Sequence, residues 1–191
     1  AMARAALTLH ETTGEAGYLD HAIRLVTVAE IVFGDGQGGF YATAADATDV
    51  PVARPRTAQD NATPAATGVM AEVMARLYHL TGDPAWRLRT ENLIRAFSGD
   101  TRAVSGMPGM LAAADLLEEA ACVVVDAYSP GMLAVALGSP DPTVVVTRGG
   151  SVPVGHPAHG KPPGAAYVCR RSVCGLPVQS AESLASMLRA R

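Results

Sequence analysis

The side chains best suited to chemistry gather just ahead of a proline. Arg54, Arg56, Asp60, Asn61 and Thr63 precede Pro64, and Asp46 lies a little upstream. They belong to a stretch, Gly34 to Asn61, that is rich in Gly, Asp, Thr and Pro. A helix beginning at Pro64 would present free N–H groups and a partial positive charge to whatever lies before it. That setting suits an anionic or hydroxylated ligand, with a carbohydrate as the candidate. Asp60 would then act as a general base or bind sugar hydroxyls, held in place by Arg56. Asp46 and Asp60 are candidates for the two carboxylates of glycoside hydrolysis, which must stand at a fixed separation across the cleaved bond. The same residue types also have a structural reading, in which Asp60 and Thr63 cap the helix and Arg56 pairs with Asp60.

A second constellation lies near the C-terminus. His156, His159, Cys169 and Cys174 follow the pattern H-x2-H-x9-C-x4-C, the right number and type of ligands for tetrahedral zinc. However, C-x4-C is wider than the common zinc knuckle, and the two cysteines flank what reads as a tight hairpin. Facing hairpin positions meet in any case, so a redox-active thiol pair or simple packing stands beside the metal reading. Metal is not favoured, and no cofactor is expected. His10 and His79 fall just before two Thr-Gly breaks, where a helix C-terminus stabilises an imidazolium; a structural role is expected for both. No G-x-G-x-x-G follows the first strand and no P-loop occurs, so nucleotide binding is unsupported.

These residues must be positioned by helices in the first two thirds of the chain. Met2–Thr13 and Glu15–Phe33 read as helices broken at Thr13-Gly14. In the second, Leu19, Ala22, Ile23, Val26, Ala29 and Val32 recur at helical spacing and mark one buried face. A long ordered loop follows from Gly34 to Asn61, and loops of this length are usually functional. A helix from Pro64 to Leu80, with Thr63 as cap, ends at Thr81-Gly82. Another runs from Asp83-Pro84 to Ser98-Gly99, and a fifth from Met107 to Ala120. Thr13-Gly14-Glu15 with Tyr18 matches Thr81-Gly82-Asp83 with Trp86, as in repeated helix–turn–helix units that bury their faces on neighbours. An incomplete array of this kind predicts an exposed apolar flank.

After Ala120 the pattern changes. Cys122–Val125 and Thr143–Thr147 are short β-branched runs with a short helix, Ser129–Leu137, between them, which makes a βαβ unit. A Gly/Pro/His-rich loop from Gly149 to Gly164 leads to a hairpin, Ala165–Cys169 and Ser172–Cys174, and then to a helix from Ala181 to Arg191. The expected organisation is mainly α, with antiparallel helical hairpins over 1–120 and a small α/β subdomain over 121–191.

Composition narrows the functional classes. Of 191 residues, 49% are apolar and 17% charged, with a net charge of -3. No basic cluster is present to neutralise a phosphate backbone, so no nucleic acid partner is expected. The apolar runs are too short to cross a bilayer, so no membrane partner is expected either. Three cysteines, an odd number, favour a reducing, cytoplasmic setting over a secreted disulfide framework. The order Ala1-Met2 suggests a leftover residue ahead of a native start.

Gly38-Gly39-Phe40-Tyr41, then Arg54-Pro55-Arg56 and Asp60-Asn61-Ala62-Thr63-Pro64, resemble motifs of the spermatogenesis-associated, thioredoxin-domain-containing family. Gly160-Lys161, Ala166-Tyr167-Val168-Cys169 and Cys174 are similar to that family's terminal signature. The resemblance implies a thioredoxin-like domain followed by an (α/α)6 toroid related to six-hairpin glycosidases and N-acylglucosamine 2-epimerases. By that measure this chain holds only part of the toroid, followed by the α/β tail. It also departs from the family pattern: Ala65 and Thr67 stand where members carry Ser and Asn. The resulting expectation is a non-catalytic or degenerate fragment acting as an interaction or scaffold module, either self-associating or joining the missing toroid portion. The alternatives are a carbohydrate isomerase or hydrolase relative with its site at Arg56, Asp60 and Asn61, and a metal or thiol-redox role for the tail.

Overall fold

The computed structural model describes residues 1–49, 52–99 and 104–189. Five helices come first: α1 (Met2–Thr13), α2 (Ala16–Phe33), α3 (Ala66–Thr81), α4 (Pro84–Phe97) and α5 (Pro108–Glu119). α1 and α2 pack as one helical hairpin and α3 and α4 as another, while α5 lies along α3. Both hairpins turn the same way. Gly14 and Gly82 take left-handed φ values of 79° and 71° and donate their N–H groups to the carbonyls of His10 and Tyr78. Glycine is favoured there because it has no Cβ to clash. In each turn the threonine hydroxyl donates back into its helix and accepts the N–H of the acidic residue two positions on, Thr13 from Glu15 and Thr81 from Asp83. The matched sequences therefore reflect matched hydrogen bonding.

α3 is the central helix. Its small residues let α5 come close: a Cβ on Gly68 would meet the Gly109 carbonyl carbon at 3.2 Å. Ala71, Ala75 and Ala113 are fully buried. α3 begins at Ala66 rather than Pro64, and Thr63 is exposed and does not cap it. The described parts of the expected loop, 34–49 and 52–61, pack against the ends of α2 and α4; Val50 and Pro51 lie outside the described residues.

The tail is built on a four-stranded sheet of order β2-β1-β3-β4, with β1 (Ala121–Val125), β2 (Val144–Arg148), β3 (Tyr167–Arg170) and β4 (Val173–Cys174). β1 and β2 are parallel and joined through α6 (Pro130–Leu137), as the βαβ reading predicts. β3 runs antiparallel to β1, and β4 returns along β3. β1 is buried along its whole length, which explains its uninterrupted apolar run. Its alternate residues Ala121, Val123 and Val125 face a core made with α6 and α7 (Ala181–Arg189). Cys122 and Val124 face the other way, beneath the loop that carries Ala158 and Ala165. Val145 of β2 packs into the helical core, so the sheet is seated on the helices. Ala190 and Arg191, expected in the last helix, lie outside the described residues.

Candidate functional site

Asp60 sits where two helices begin. One carboxylate oxygen accepts the N–H of Ala65, at the cap of α3, at 2.6 Å, and the other accepts the N–H of Gly109, in the first turn of α5, at 2.7 Å. Its own N–H is donated to the Gly106 carbonyl. A carboxylate is favoured against the positive end of a helix, and here one carboxylate serves two. The absence of a Cβ at Gly109 makes room, since a Cβ there would stand 3.0 Å from an Asp60 oxygen.

Arg56 does not pair with Asp60. Its Nε lies 2.7 Å from the Asp35 carboxylate, its Nη2 donates to the Ala96 carbonyl at 3.4 Å, and its guanidinium stacks over the Phe97 ring. Asp35 opens the glycine-rich turn, where one of its oxygens accepts the N–H groups of Gln37 and Gly39. A Cβ on Gly39 would come within 2.5 Å of the Asp35 carboxylate and 2.6 Å of the Arg56 guanidinium. Gly39 therefore leaves room for the ion pair, while a Cβ on Gly38 would press on Asn92 of α4 at 3.0 Å.

Arg54 binds the Thr43 carbonyl with two nitrogens, reaches the Val32 carbonyl, and stacks on Tyr41. Asn61 is exposed and bonds locally to the Thr63 carbonyl, while Asp46 lies exposed in a turn. Thr67 is buried and donates to the Thr57 carbonyl at 2.6 Å, stitching the loop to α3. Beside this junction is a cavity of about 330 Å³ lined by Arg56, Thr57, Gln59, Phe97, Gly106 and Met107, among others.

The four residues offered as zinc ligands are not brought together. Cys169 and Cys174 are joined as a disulfide. His159 is exposed and bonds to the Val152 carbonyl. His156 is buried: its Nδ1 accepts the Ala158 N–H, so Nε2 carries the proton and donates to the His79 carbonyl at 3.0 Å. Among the described residues no group of three or more His, Cys, Asp or Glu could hold a metal ion. The odd cysteine count reflects one bridge plus one buried thiol, Cys122, so it does not by itself argue for a reducing compartment. The Cys122 sulfur lies 3.4 Å from both His156 Nε2 and the His79 carbonyl, and burial pushes its thiol up to about 12.

The imidazolium expected at His79 is also corrected. Burial lowers its pKa to about 4, more than its bond to the Leu116 carbonyl raises it. The ring is therefore a neutral donor tying α3 to α5. His10 is buried and bonds to the Glu15 carbonyl across its turn.

Comparison with known proteins supports the family reading. The chain resembles spermatogenesis-associated protein 20. It is 36% identical to the Rattus norvegicus protein over 113 residues, which is 58% of this chain and 14% of that protein. The Mus musculus protein is 35% identical over 103 residues, covering 53% of this chain and 13% of its own length. The Homo sapiens protein is 34% identical over 113 residues, covering 58% and 14% respectively. The chain thus spans only a small part of the length of these relatives. No family model matches it.

The resemblance points to motifs in the loop and the tail, but it passes over the joint between helices and sheet. Glu11 and Arg76, neither part of any motif, form a buried ion pair at 3.1 Å that also binds β2. Asp35 and Cys122 were likewise hidden, Asp35 because its ion-pair partner Arg56 stands across the loop and Cys122 because its neighbours lie far off in sequence. Among the described residues no helix is long and apolar enough to cross a membrane.

Proposed function

We propose that this chain is a non-catalytic, degenerate relative of six-hairpin carbohydrate-active proteins, serving as an interaction or scaffold module with a cytoplasmic location. The observation that carries this reading is the engagement of Asp60, whose two oxygens are both taken by helix N–H groups. A carboxylate held this way supports the fold, with each oxygen tied to the start of a helix. Arg54 and Arg56 are spent on backbone carbonyls and on Asp35. Thr67 points its hydroxyl at the loop instead of a ligand space.

An interaction role is supported by α2, in which only Ala22 and Val26 are buried, whereas Val28 and Ile31 are 54% and 75% exposed. An open groove of about 590 Å³ between the starts of α1 and α3, lined by Ala3, Val69, Met70 and Val73 among others, adds a second apolar surface. Their proposed occupant is further helical pairs continuing the array as part of an (α/α)6 toroid, with a second copy of the chain substituting when those are absent.

Size-exclusion chromatography with light scattering tests this. The isolated chain is expected to self-associate and a Val28→Asp, Ile31→Asp variant to run as a monomer. A strictly monomeric parent at high concentration overturns the proposal.

A carbohydrate-binding reading keeps one supporting feature, the 330 Å³ cavity with Thr57 and Gln59 on its wall. Thermal stabilisation by a mono- or disaccharide that disappears in Gln59→Ala would favour it. No stabilisation across a broad sugar panel would remove it.

A further inference from the structure

All three cysteines of the chain fall in one row. Cys122 of β1 stands opposite Cys169 of β3, and Cys169 stands opposite Cys174 of β4. Opposed residues share a sheet face. Cys169 and Cys174 are bonded, and Cys122 is a buried free thiol. A disulfide with a thiol in reach can exchange with it once the thiol gives up its proton. Directly opposed residues of antiparallel strands have Cα atoms roughly 4.5–5.5 Å apart, within the span of about 4.4–6.8 Å that a disulfide requires, so the register of Cys122 on Cys169 permits a bridge. The bonded Cys169 and Cys174 stand closer, with Cα atoms 3.8 Å apart.

We propose that Cys122, Cys169 and Cys174 form a thiol–disulfide exchange site in which Cys169 passes its bond from Cys174 to Cys122. The inference is independent of the interaction role proposed above. The Cys122 sulfur attacks the Cys169 sulfur, the Cys122–Cys169 bond forms as the Cys169–Cys174 bond breaks, and the electron pair leaves on Cys174. The thiol proton of Cys122 ends on Cys174, so the step balances without an external oxidant. The strand order β1-β3-β4 puts nucleophile and leaving group on opposite sides of Cys169, as displacement at sulfur requires. His156 Nε2 lies 3.4 Å from the Cys122 sulfur, with its own N–H given to the His79 carbonyl.

Exchange releases Cys174, the half-buried member of the row, as a free thiol able to form a mixed disulfide with a low-molecular-weight disulfide. It also unlocks the hairpin turn. That turn passes through Arg171 and Ser172 at φ 47° and 67°, a conformation that residues with side chains seldom adopt. Ser172 reaches Tyr78 and Arg171 pairs with Glu119, so the turn clasps the helical part. The exchange site therefore lies at the joint between helices and tail.

The test is trapping by N-ethylmaleimide in the native protein without reductant, followed by non-reducing peptide mapping. Maleimide is expected on Cys174, accompanied by a Cys122–Cys169 bridged peptide in equal amount; a Cys169–Cys174 bridge that stays intact indefinitely overturns the proposal. Cys122→Ala should abolish Cys174 labelling, and labelling that persists would show release by another route and also overturn it. Cys174→Ser gives a second arm, leaving Cys122 and Cys169 as the two thiols, both buried. Treated with glutathione disulfide, that variant should close an internal Cys122–Cys169 bond, and a glutathione adduct on Cys169 without closure rejects the exchange.

Discussion

Glu11 of α1 accepts the backbone N–H of Val146 on β2 at 3.1 Å. β2 is one of the two edge strands of the sheet, and an edge exposes N–H groups that lack a neighbouring strand. A helix side chain here takes that place. Arg76 of α3 completes the joint by pairing with Glu11 and donating to the carbonyls of Val144 and Pro142. Burial pushes the Glu11 carboxyl above its usual range, and the nearby Arg76 only partly offsets this.

Removing the carboxylate should therefore loosen the tail. Glu11→Ala leaves a buried N–H unpaired and deprives Arg76 of a partner, at an expected cost of about 2–4 kcal/mol. Glu11→Gln keeps a carbonyl for Val146 and should cost less than half as much. Denaturant unfolding of the two variants checks this, and equal losses would mean that the Val146 bond contributes nothing.

Asp60 makes a comparable prediction within the helical part. Asp60→Ala strips a cap from both α3 and α5, with an expected loss of about 2–3 kcal/mol from two charge-assisted bonds. Asp60→Asn keeps one accepting oxygen and should lose about half of that. The measurement is the shift of the urea midpoint at constant slope. An Ala variant as stable as the parent would return Asp60 to the list of candidate functional groups.

What could be read from the sequence was mostly local. The α2 periodicity, the Thr-Gly stops and the β-branched runs flanking α6 each encode their element within a few residues, and they predicted the hairpins and the βαβ unit. The errors arose where a polar group had a choice of distant partners. Asp60 and Thr63 both looked like caps for one helix, but only the fold shows that α5 starts beside α3 and claims Asp60 as well. Arg56 had a nearby acid in Asp60, but the glycine turn brings Asp35 closer. The Cys122–Cys169 pairing depends on strand register, which a chain with a long loop between its strands does not reveal.

The two matched turns should differ in their tolerance of a side chain. A Cβ at Gly14 would meet the flexible Arg148 side chain at 2.6 Å, whereas one at Gly82 would meet backbone atoms of Gly155 and His156 at 2.7 Å. Both positions carry the cost of a positive φ, about 1–2 kcal/mol. Gly14→Ala should lose little more than that. Gly82→Ala should lose about 2–4 kcal/mol, because the 155–156 backbone must also shift. Thermal unfolding of the two variants decides the matter, and equal penalties would mean that the tail does not rest on the second turn.

His79 gives the protein a specific acid sensitivity. Its pKa falls from 6.5 to about 4 on folding, chiefly through burial. Below pH 6.5 the unfolded chain gains a proton that the native state refuses, so this contribution to stability is complete above 6.5 and is lost as pH falls toward 4. A gap of that size corresponds to a loss on the order of 3 kcal/mol. The neighbouring His156 is shifted in the same direction by burial, whereas Glu11, with its raised pKa, opposes the trend by favouring the native state as it protonates. His79→Gln keeps an N–H for the Leu116 carbonyl but cannot take up a proton. Its stability between pH 6.5 and 4 should fall distinctly less than the parent's. Parallel profiles for the two proteins would mean that the buried imidazole does not set the acid limb.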